Sequence, residues 1–565
     1  MSSQTITMSG IPPRVLSREQ HLRKYVLSLE PQVRNSLVYL ETLSRQLRNQ
    51  REFNIVYPVG RSLFIHIRSR GRERSLYTAV NPAVDVPGEI VHILETLIAP
   101  HLGVHKDFET KEEQEKILRE VLDTLVVLDD ALEDFEYLVV SRRGTPTAIR
   151  MNSYTAEAAS YALILDKVYM GVLEPLLRDP YIEDISCDGV GPLFVEHKIF
   201  GSCESNIVFR EPEDLDRFVL KLSEKIGNQV NYRRPIVDSS LPDGSRINIV
   251  YGSDISRRGS NFTIRKFSEK PVSILELISW KTLSSLEAAY LWLLMEYGMS
   301  VWFCGETASG KTTALRAASV FLNPKSKIVS IEDTPEIVVP HDNWVREVTR
   351  PGEGGGGEIT LFELLKAALR QRPNTIIVGE IRGQEASVAF QAIQTGHMVL
   401  STFHAGSVEK LIQRLTGDPI NIPKTYIDIL NAVVIQSAVR IPETGRVERR
   451  FLSINEIVGY DPSSKRFDYI ELFSWDSVRD LHEFRGEGNS YLLENKILTM
   501  MGLSSRNVRK VYEELSRRAR ILELMLEKGA LSYDEVWNMV KLAYEVGTEK
   551  TLERIEGGEK IWLRR

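Results

Sequence analysis

The sequence predicts an α/β protein of several domains, and three observations predict it. A length of 565 residues exceeds what one hydrophobic core supports, so we expect roughly three or four domains. Residues 281–420 alternate helical patterns with continuous β-branched runs, which is typical of a parallel sheet covered on both faces. The composition, 42% hydrophobic and 26% charged, is that of a folded globular chain.

The N-terminal part predicts a tail and an accessory region. Residues 1–20 are expected to form a flexible tail without the apolar core of a signal peptide. Residues 21–156 form the accessory region, an additional α/β segment in which residues 21–50 carry an amphipathic helical pattern. Apolar strand-like runs follow, and then two helical patterns, VPGEIVHILETLIAPHLG and KEEQEKILREVLDTLVVLDDALEDFEYLV.

The sequence pattern changes at residue 157. Residues 157–267 mix short strands and glycine turns with the helix EPEDLDRFVLKLSEKIG, which predicts a small α+β domain. Residues 268–280 are expected to be a linker, because Pro271 breaks any helix and the segment is short.

The region with the predicted parallel sheet spans residues 281–470. It begins with the helix SSLEAAYLWLLMEYG and the strand SVWFCG, and its last predicted strand is HMVLSTF. The run GEGGGGE at 352–358 has no side chains to pack and predicts a mobile loop. Residues 471–565 predict a helical region, where Ser532 and Glu535 have the spacing of a capping box.

Cysteine usage and hydropathy exclude several classes of protein. The three cysteines have no paired CxxC spacing, which predicts neither a disulfide framework nor a zinc framework. No run reaches the roughly 20 uncharged apolar residues of a membrane helix. We therefore expect a cytoplasmic protein that could still lie against a membrane.

Charge is distributed unevenly along the chain. Residues 1–75 carry 13 Lys/Arg and 5 Asp/Glu, whereas the whole chain has a net charge of −6. The basic end is either a solvated face or a contact for anionic lipid or an acidic partner. Nucleic acid is not expected as a partner, because the remainder of the chain is acidic and repels phosphate.

A phosphate-binding motif lies between an apolar strand and a helix. GETASGKT at 305–312 matches G-x-x-x-x-G-K-[ST], which predicts binding of ATP or GTP. The Lys311 side chain can reach the β and γ phosphates, and the Thr312 hydroxyl can bind Mg²⁺. The candidate nucleotide-binding residues are Gly305, Glu306, Thr307, Ala308, Ser309, Gly310, Lys311, Thr312 and Thr313.

Two carboxylate-bearing segments follow the motif. The strand TIIVGE at 375–380 has Gly379 where many nucleotide enzymes have Asp, so Glu380 would act on Mg²⁺ through water. SIEDTPEI at 330–337 supplies Glu336, the candidate that orients and deprotonates an attacking water. The alternative for this second segment is a strand end with solvated acids.

Two histidines bracket a short apolar run in TGHMVLSTFHAGS, residues 395–407. Zinc, a phosphohistidine and core packing could each account for His397 and His404. Zinc is disfavoured, because a separation of seven residues on a strand places the two side chains on opposite faces.

These motifs, in this order and spacing, resemble the P-loop, aspartate box, atypical Walker B and histidine box of the type II/IV secretion ATPase superfamily. The likeness covers roughly residues 160–460, and EDISCDG, RRPIVDSSLPDGSRINI and FTIRKF are similar to the family's N-terminal half. The overall shape is most similar to the archaeal pilus and archaellum branch. The resemblance implies a RecA-like P-loop ATPase core and places His397 and His404 near the γ-phosphate.

Arginines are expected to complete the site, since one supplied across a subunit boundary commonly stabilises the transferred phosphoryl group. Arg246, in LPDGSR, is the first candidate for a catalytic role, and Arg265 is a candidate nucleotide contact. The remaining candidates, each of which could instead be a surface arginine, are Arg233, Arg370, Arg372 and Arg382.

The resemblance further implies a homo-hexameric ring that binds ATP and Mg²⁺ between the two halves of each subunit. Hydrolysis would change the angle between the halves and push on a polytopic membrane platform protein, at the inner face of the cell membrane. Assembly of a type IV pilus-like filament or secretion is the leading hypothesis. An archaellum motor, a conjugation or DNA-transport ATPase and a non-hydrolysing switch are the alternatives.

Overall fold

A computed structural model describes residues 10–44, 47–48, 50–71, 73–102, 110–142, 144–267, 271–350, 357–442, 445–463 and 466–563. Residues with predictions attached that lie outside this description include 1–9 of the tail, 45–46 and 49 of the amphipathic pattern, 268–270 of the linker and 352–356 of the glycine-rich loop. The chain divides into two compact units, Met1–Phe267 and Ser268–Arg565.

The first unit contains both helices and strands. Its helices are α1 (Pro13–Arg18), α2 (Gln20–Ser28), α3 (Pro31–Asn35), α4 (Gly88–Leu102), α5 (Lys111–Leu125), α6 (Ser153–Lys167), α7 (Glu174–Arg178) and α8 (Pro212–Lys225). Its strands are β1 (Val38–Tyr39), β2 (Asn54–Pro58), β3 (Phe64–Arg70), β4 (Glu73–Val80), β5 (Val126–Leu128), β6 (Tyr137–Arg142), β7 (Thr145–Met151), β8 (Ile182–Cys187), β9 (Gly191–His197), β10 (Gly201–Phe209), β11 (Ile236–Ser240), β12 (Arg246–Val250) and β13 (Asn261–Arg265).

One mixed sheet runs through most of the first unit. Within the described residues its ten strands follow the order β1-β2-β3-β4-β10-β9-β8-β13-β12-β11. Strands β4 and β10 pair in parallel, so the accessory region and the α+β domain share this sheet. The expected boundary between residues 156 and 157 falls inside α6, which starts earlier because the Asn152 side chain caps it.

The amphipathic pattern at residues 21–50 is not one helix. Helix α2 ends at Ser28, because Pro31 disfavours helical backbone at the residue before it and then starts α3 at a position that suits proline. Helix α1 lies in the segment expected to be a tail. The segment after residue 110 was expected to form one helix. It forms α5 and then a small sheet, whose strands in the described residues follow the order β5-β7-β6.

The second unit alternates helices and strands and then ends in helices. Its helices are α9 (Ile274–Ser279), α10 (Ser285–Glu296), α11 (Lys311–Ala318), α12 (Leu361–Arg370), α13 (Glu385–Gln394), α14 (Val408–Thr416), α15 (Leu498–Met500), α16 (Val508–Glu527), α17 (Tyr533–Val546) and α18 (Thr548–Glu556). Its strands are β14 (Val301–Gly305), β15 (Ile328–Glu332), β16 (Trp344–Val348), β17 (Thr375–Ile381), β18 (Met398–Phe403), β19 (Ala432–Arg440), β20 (Val447–Asp461), β21 (Arg466–Asp476) and β22 (Leu481–Phe484).

The predicted parallel sheet is confirmed, and it has an antiparallel extension. Its strand order, among described residues, is β16-β15-β17-β18-β14-β19-β20-β21-β22. Pairing is parallel from β16 to β19 and antiparallel from β19 to β22. Strands β21 and β22 carry this sheet past residue 470, where the helical region was expected to begin.

The segment expected to be a linker contains helix α9. Ser273 accepts a hydrogen bond from the Glu276 amide, and the Glu276 side chain accepts one from the Ser273 amide, which completes a capping box. Pro271 precedes this helix and therefore does not interrupt it. Ile274, Leu275 and Leu277 are buried in the core of the second unit, so α9 packs as part of that unit.

The C-terminal helices pack onto the same core. Arg518 of α16 is buried and lies 2.7 Å from Glu296 at the end of α10, so the two helices are joined by an ion pair as well as by apolar contacts. The predicted capping box of Ser532 and Glu535 is confirmed at the start of α17. No helix in the described part of the chain has the length and apolar character needed to cross a bilayer.

The parallel strands define two edges of the sheet. The carboxyl ends of β14, β15, β17 and β18 lie at one edge, here called the carboxyl edge, and their amino ends lie at the opposite amino edge. Apolar clusters cover both faces of the sheet between these edges. Polar side chains at the strand ends are therefore held on a rigid platform, and ligands of open α/β sheets bind at the carboxyl ends.

Candidate nucleotide site at the carboxyl edge

The predicted phosphate-binding turn joins β14 to α11. Strand β14 is buried along its length and ends at Gly305, while α11 begins at Lys311. Gly310 is the N-cap with a φ of 92°, in the left-handed region that favours glycine. The free N–H groups and positive end of α11 thus meet the concave side of the turn, where an anion is stabilised.

The Lys311 side chain is held against its own loop. Its Nζ donates a hydrogen bond to the Glu306 carbonyl at 2.8 Å, and the residue is 8% exposed. Burial lowers the pKa of the Lys311 ammonium, and the negative charge of Glu380 opposes this shift. A phosphate that displaces the carbonyl would restore a full counter-charge to this amine. Thr312 and Thr313, which follow on α11, are half-buried.

Glu380 and His404 come together from neighbouring strands. Glu380 lies near the end of β17, and His404 directly follows β18, which pairs with it in parallel. His404 Nε2 is 2.9 Å from Glu380 Oε1. Burial, followed by the positive charge of Lys311, lowers the pKa of the His404 ring, and the negative charge of Glu380 opposes this shift.

The turn after β15 carries the other predicted acid. Glu336 is half-buried, and its backbone N–H donates to Glu332 Oε1 at 2.8 Å, as does that of Ile337. Burial raises the pKa of the Glu332 carboxyl to about 7. Arg316, on the helix that follows the phosphate-binding turn, is attracted to both Glu336 and Glu332. This acidic turn therefore faces the positive side chain of α11.

His397 does not lie with these residues. It precedes β18, whereas His404 follows it, and β18 is six residues long. At a rise of about 3.3 Å per residue the two histidines are roughly 20 Å apart, at opposite edges of the sheet. The expected placement of both histidines near the γ-phosphate is therefore corrected: only His404 lies at the carboxyl edge.

The six candidate arginines fall into separate places. Arg246 and Arg265 are exposed cross-strand partners on β12 and β13 of the first unit, and Arg265 Nε is 3.4 Å from Asp184 Oδ1. Arg233 is exposed in the same unit. Arg233 precedes β11, whose start pairs with the end of β12, so it lies at the opposite end of these strands from Arg246.

The other three arginines belong to the second unit. Arg370 ends α12 and Arg372 follows it, which places both before β17 and at the amino edge. Arg382 follows β17 and donates to Glu380 Oε2. Arg382 is therefore the one of this trio that the fold brings to the carboxyl edge.

A cavity of about 960 Å³ extends from the phosphate-binding turn. Three residues of its wall, Lys410, Arg414 and Asp418, are not among the site residues predicted from the sequence. Lys410 and Arg414 are four residues apart on α14, so a helical projection places them on one face. The Arg414 guanidinium donates to the His404 carbonyl and lies 5.0 Å from the centre of the Phe403 ring.

Two further contacts come from the strands beyond β14. Arg449 of β20 donates from Nε to the Ala308 carbonyl at 3.1 Å. Gln436 of β19 pairs in register with Gly305. Neither residue has a local sequence signal, because each is brought to the turn only by the pairing of distant strands.

Comparison with known proteins places the chain among secretion proteins. The family described as type II/IV secretion system protein matches residues 167–544. The uncharacterized protein MJ0900 of Methanocaldococcus jannaschii is 43% identical over 541 residues, which are 94% of this chain and 97% of that protein. The type IV secretion system protein PtlH of Bordetella pertussis is 34% identical over 206 residues, 32% of this chain and 61% of PtlH.

Solved structures with similarity to this chain include the ATPase DotB of Legionella pneumophila. It is 17% identical, with 66% of this chain and 94% of that chain covered, at a TM-score of 0.38.

Proposed function

This chain belongs to the type II/IV secretion system protein family and is an ATPase; on that premise we propose that it is the motor of a membrane machine. ATP hydrolysis would drive assembly of a type IV pilus-like filament, or secretion, through a polytopic membrane platform protein. The observation that carries the proposal is the meeting of Lys311, Glu380 and His404 at one edge of a rigid sheet. A phosphate-binding lysine, a carboxylate and an imidazole at one site can bind the phosphates of a nucleotide and respond to their loss.

The proposed reaction begins with capture of the phosphates. The concave turn from Gly305 to Thr312 supplies backbone N–H groups, and Lys311 exchanges the Glu306 carbonyl for the β and γ phosphates. This exchange is favourable because the buried ammonium replaces a carbonyl dipole with a full negative charge.

The residues present fit a magnesium ion. Oxygen donors suit this cation, and the Thr312 hydroxyl at the start of α11 and the buried Glu380 Oε1 are both available from the same edge. Thr312 would bind it directly and Glu380 through water. When bound, the ion supplies positive charge that neutralises the phosphate oxygens.

Glu336 is proposed to orient the attacking water and to accept its proton. Its half-buried position and the attraction of its carboxylate to Arg316 of α11 support this role. His404 is proposed to report the γ-phosphate. Its ring lies 2.9 Å from Glu380 and would donate to the phosphate when nucleotide is bound, which would link the state of the nucleotide to the end of β18 and to α14.

The proposal includes a ring of identical subunits. Arg382 of the second unit is paired with Glu380, so a neighbouring subunit is the proposed source of positive charge opposite Lys311. Arg246, with Arg265 beside it, is the proposed donor to a neighbouring subunit's nucleotide. Six subunits in a closed ring would give each site such a neighbour. The basic N-terminal segment is proposed to meet the platform protein or anionic lipid.

The test is steady-state ATP hydrolysis by the full chain with Mg²⁺, compared with Glu336→Gln. We expect turnover in the parent and at least about 10²-fold less in the variant, with ATP binding retained. A parent that binds but never hydrolyses ATP would reject the motor.

The ring is tested separately by measuring particle mass with and without a non-hydrolysable nucleotide. A mass of six subunits is expected, whereas a monomer at every concentration would contradict the ring. Cells that lack the protein and still assemble the filament or secrete would reject the proposed output.

A further inference from the structure

Glu332 is a buried acid that the proposed reaction does not use. It ends β15 at the carboxyl edge and is 2% exposed. Its Oε1 accepts hydrogen bonds from the backbone N–H groups of Glu336 and Ile337, both at 2.8 Å. These contacts close the turn that carries Glu336, so this carboxylate determines where that turn lies.

Gly379 on the neighbouring strand makes room for this acid. A Cβ added at Gly379 would lie 3.1 Å from Glu332 Cγ, closer than ordinary van der Waals contact. The Gly379 carbonyl accepts a hydrogen bond from the Thr402 hydroxyl at 2.7 Å, which fixes the end of β17 against β18. The glycine found where many nucleotide enzymes have Asp is thus explained by the space that Glu332 occupies.

The charges around Glu332 tie it to the phosphate-binding helix. Arg346 Nε is 3.8 Å from Oε2, and Arg316 of α11 is attracted to the carboxylate. Oε2 itself makes no hydrogen bond within the described residues. The backbone contacts through Oε1 are therefore the directional interactions of this side chain.

We propose that Glu332 is a positioning residue, which holds the Glu336 carboxylate in place through two backbone hydrogen bonds and for which Gly379 provides the space. The inference rests on the proposed role of Glu336 as the residue that orients water. Glu332 touches neither nucleotide nor water in this role. Its loss displaces Glu336, and a displacement of about 1 Å is enough to reduce catalysis by roughly 10²-fold.

The experiment compares kcat and KM for ATP in Glu332→Ala and Glu332→Gln, using the full chain. Alanine removes the acceptor, so kcat is expected to fall roughly 10²-fold while KM stays within about twofold. Glutamine keeps an Oε1 that accepts both N–H groups, so its kcat is expected within about threefold of the parent. Melting temperature and binding of a fluorescent ATP analogue are measured for each variant.

Gly379→Ala gives a second line of evidence that leaves Glu332 itself intact. Its added methyl group must displace the Glu332 side chain, so kcat is expected to fall about tenfold with nucleotide binding retained. This variant keeps the inference testable if Glu332→Ala does not fold.

Three outcomes would overturn the inference. They are parental kcat in Glu332→Ala, a kcat in Glu332→Gln as low as in the alanine variant, and parental kcat in Gly379→Ala. The Glu336→Gln measurement separates this inference from the proposed function. Parental turnover in Glu336→Gln would reject the role of Glu336. Lost turnover in Glu336→Gln together with parental turnover in Glu332→Ala would reject only the role of Glu332.

Discussion

The two edges of the parallel sheet use polar groups differently. At the amino edge these groups close turns: the Asn374 side chain accepts from the Lys327 amide at 2.8 Å, and Ser300 Oγ accepts from the Val399 amide at 2.9 Å. At the carboxyl edge, in the described residues, Glu332 Oε2, Glu380 Oε1 and Gln436 Oε1 are buried without a hydrogen-bond partner, whereas His341 Nδ1 is such an atom at the amino edge.

Polar groups at the two ends of one sheet can serve stability and function separately. A buried polar group costs free energy unless it is paired, so groups whose bonds are complete contribute to the fold. Groups left incomplete at the carboxyl edge are retained where a ligand or a moving side chain can complete them. His397 and His404 illustrate the contrast, since they bracket the same strand but lie in these two environments.

The largest expected difference between the edges concerns two lysines. Lys311→Ala removes the buried cation that faces the phosphates, so hydrolysis at saturating ATP is expected to fall roughly 10²–10³-fold. Lys325 is an exposed lysine that precedes β15 at the amino edge, and Lys325→Ala is expected to change the rate by less than about twofold. Phosphate release measures both rates, and equal losses would contradict a role in hydrolysis specific to the carboxyl edge.

The second prediction concerns pH and the stability of the carboxyl edge. Burial raises the pKa of Glu332 to about 7 from 4.5, so the folded protein binds a proton that the unfolded chain releases. This contribution to stability is complete below about pH 4.5 and is lost as pH rises to about 7, a change of roughly 3 kcal/mol.

Glu332→Gln isolates this contribution, because its side chain does not titrate. Melting temperatures of parent and variant across pH 4.5–8 should diverge, with the parent losing stability relative to the variant as pH rises. The charged groups facing Glu332, which are Arg346, Arg316 and Glu336, are the same in both proteins. A constant difference would show that Glu332 is ionised throughout this range.

The histidines at the two ends of β18 test the same difference between the edges within one strand. His404→Ala removes the ring proposed to hydrogen-bond the γ-phosphate, and hydrogen bonds to charged groups contribute about 1.5–3 kcal/mol, so a loss of roughly 10- to 10²-fold in kcat is expected. His397→Ala is the matched control and is expected within about twofold of the parent. A larger loss in His397→Ala would assign function to the amino edge.

The smallest effect is expected at the amino edge. Asn374→Ala removes the acceptor for the Lys327 amide, which should cost about 1 kcal/mol of stability and lower the melting temperature by about 2–4 °C. Its kcat should match the parent at a temperature where both are folded. Reduced kcat without reduced stability would contradict the division between edges.

Much of the fold and part of the site could be predicted from local pattern. The P-loop is contiguous, so the sequence contains all of its backbone donors together with Lys311 and Thr312. The capping box of Ser532 and Glu535 is equally local. The antiparallel strands β20 to β22, the sheet shared across α6 and the contact of Arg449 with Ala308 could not be predicted, because each depends on pairing between distant segments.

By itself the sequence determined the parallel order of strands and helices, the phosphate-binding turn and the acids that follow the neighbouring strands. These depend on interactions within a few residues, which a linear pattern records. Only the tertiary structure decided that His404 joins Glu380 while His397 does not, and that Glu332 closes the turn of Glu336. The reason is that strand direction assigns each end to an edge, and only the packing of neighbouring strands brings side chains at one edge within hydrogen-bond distance.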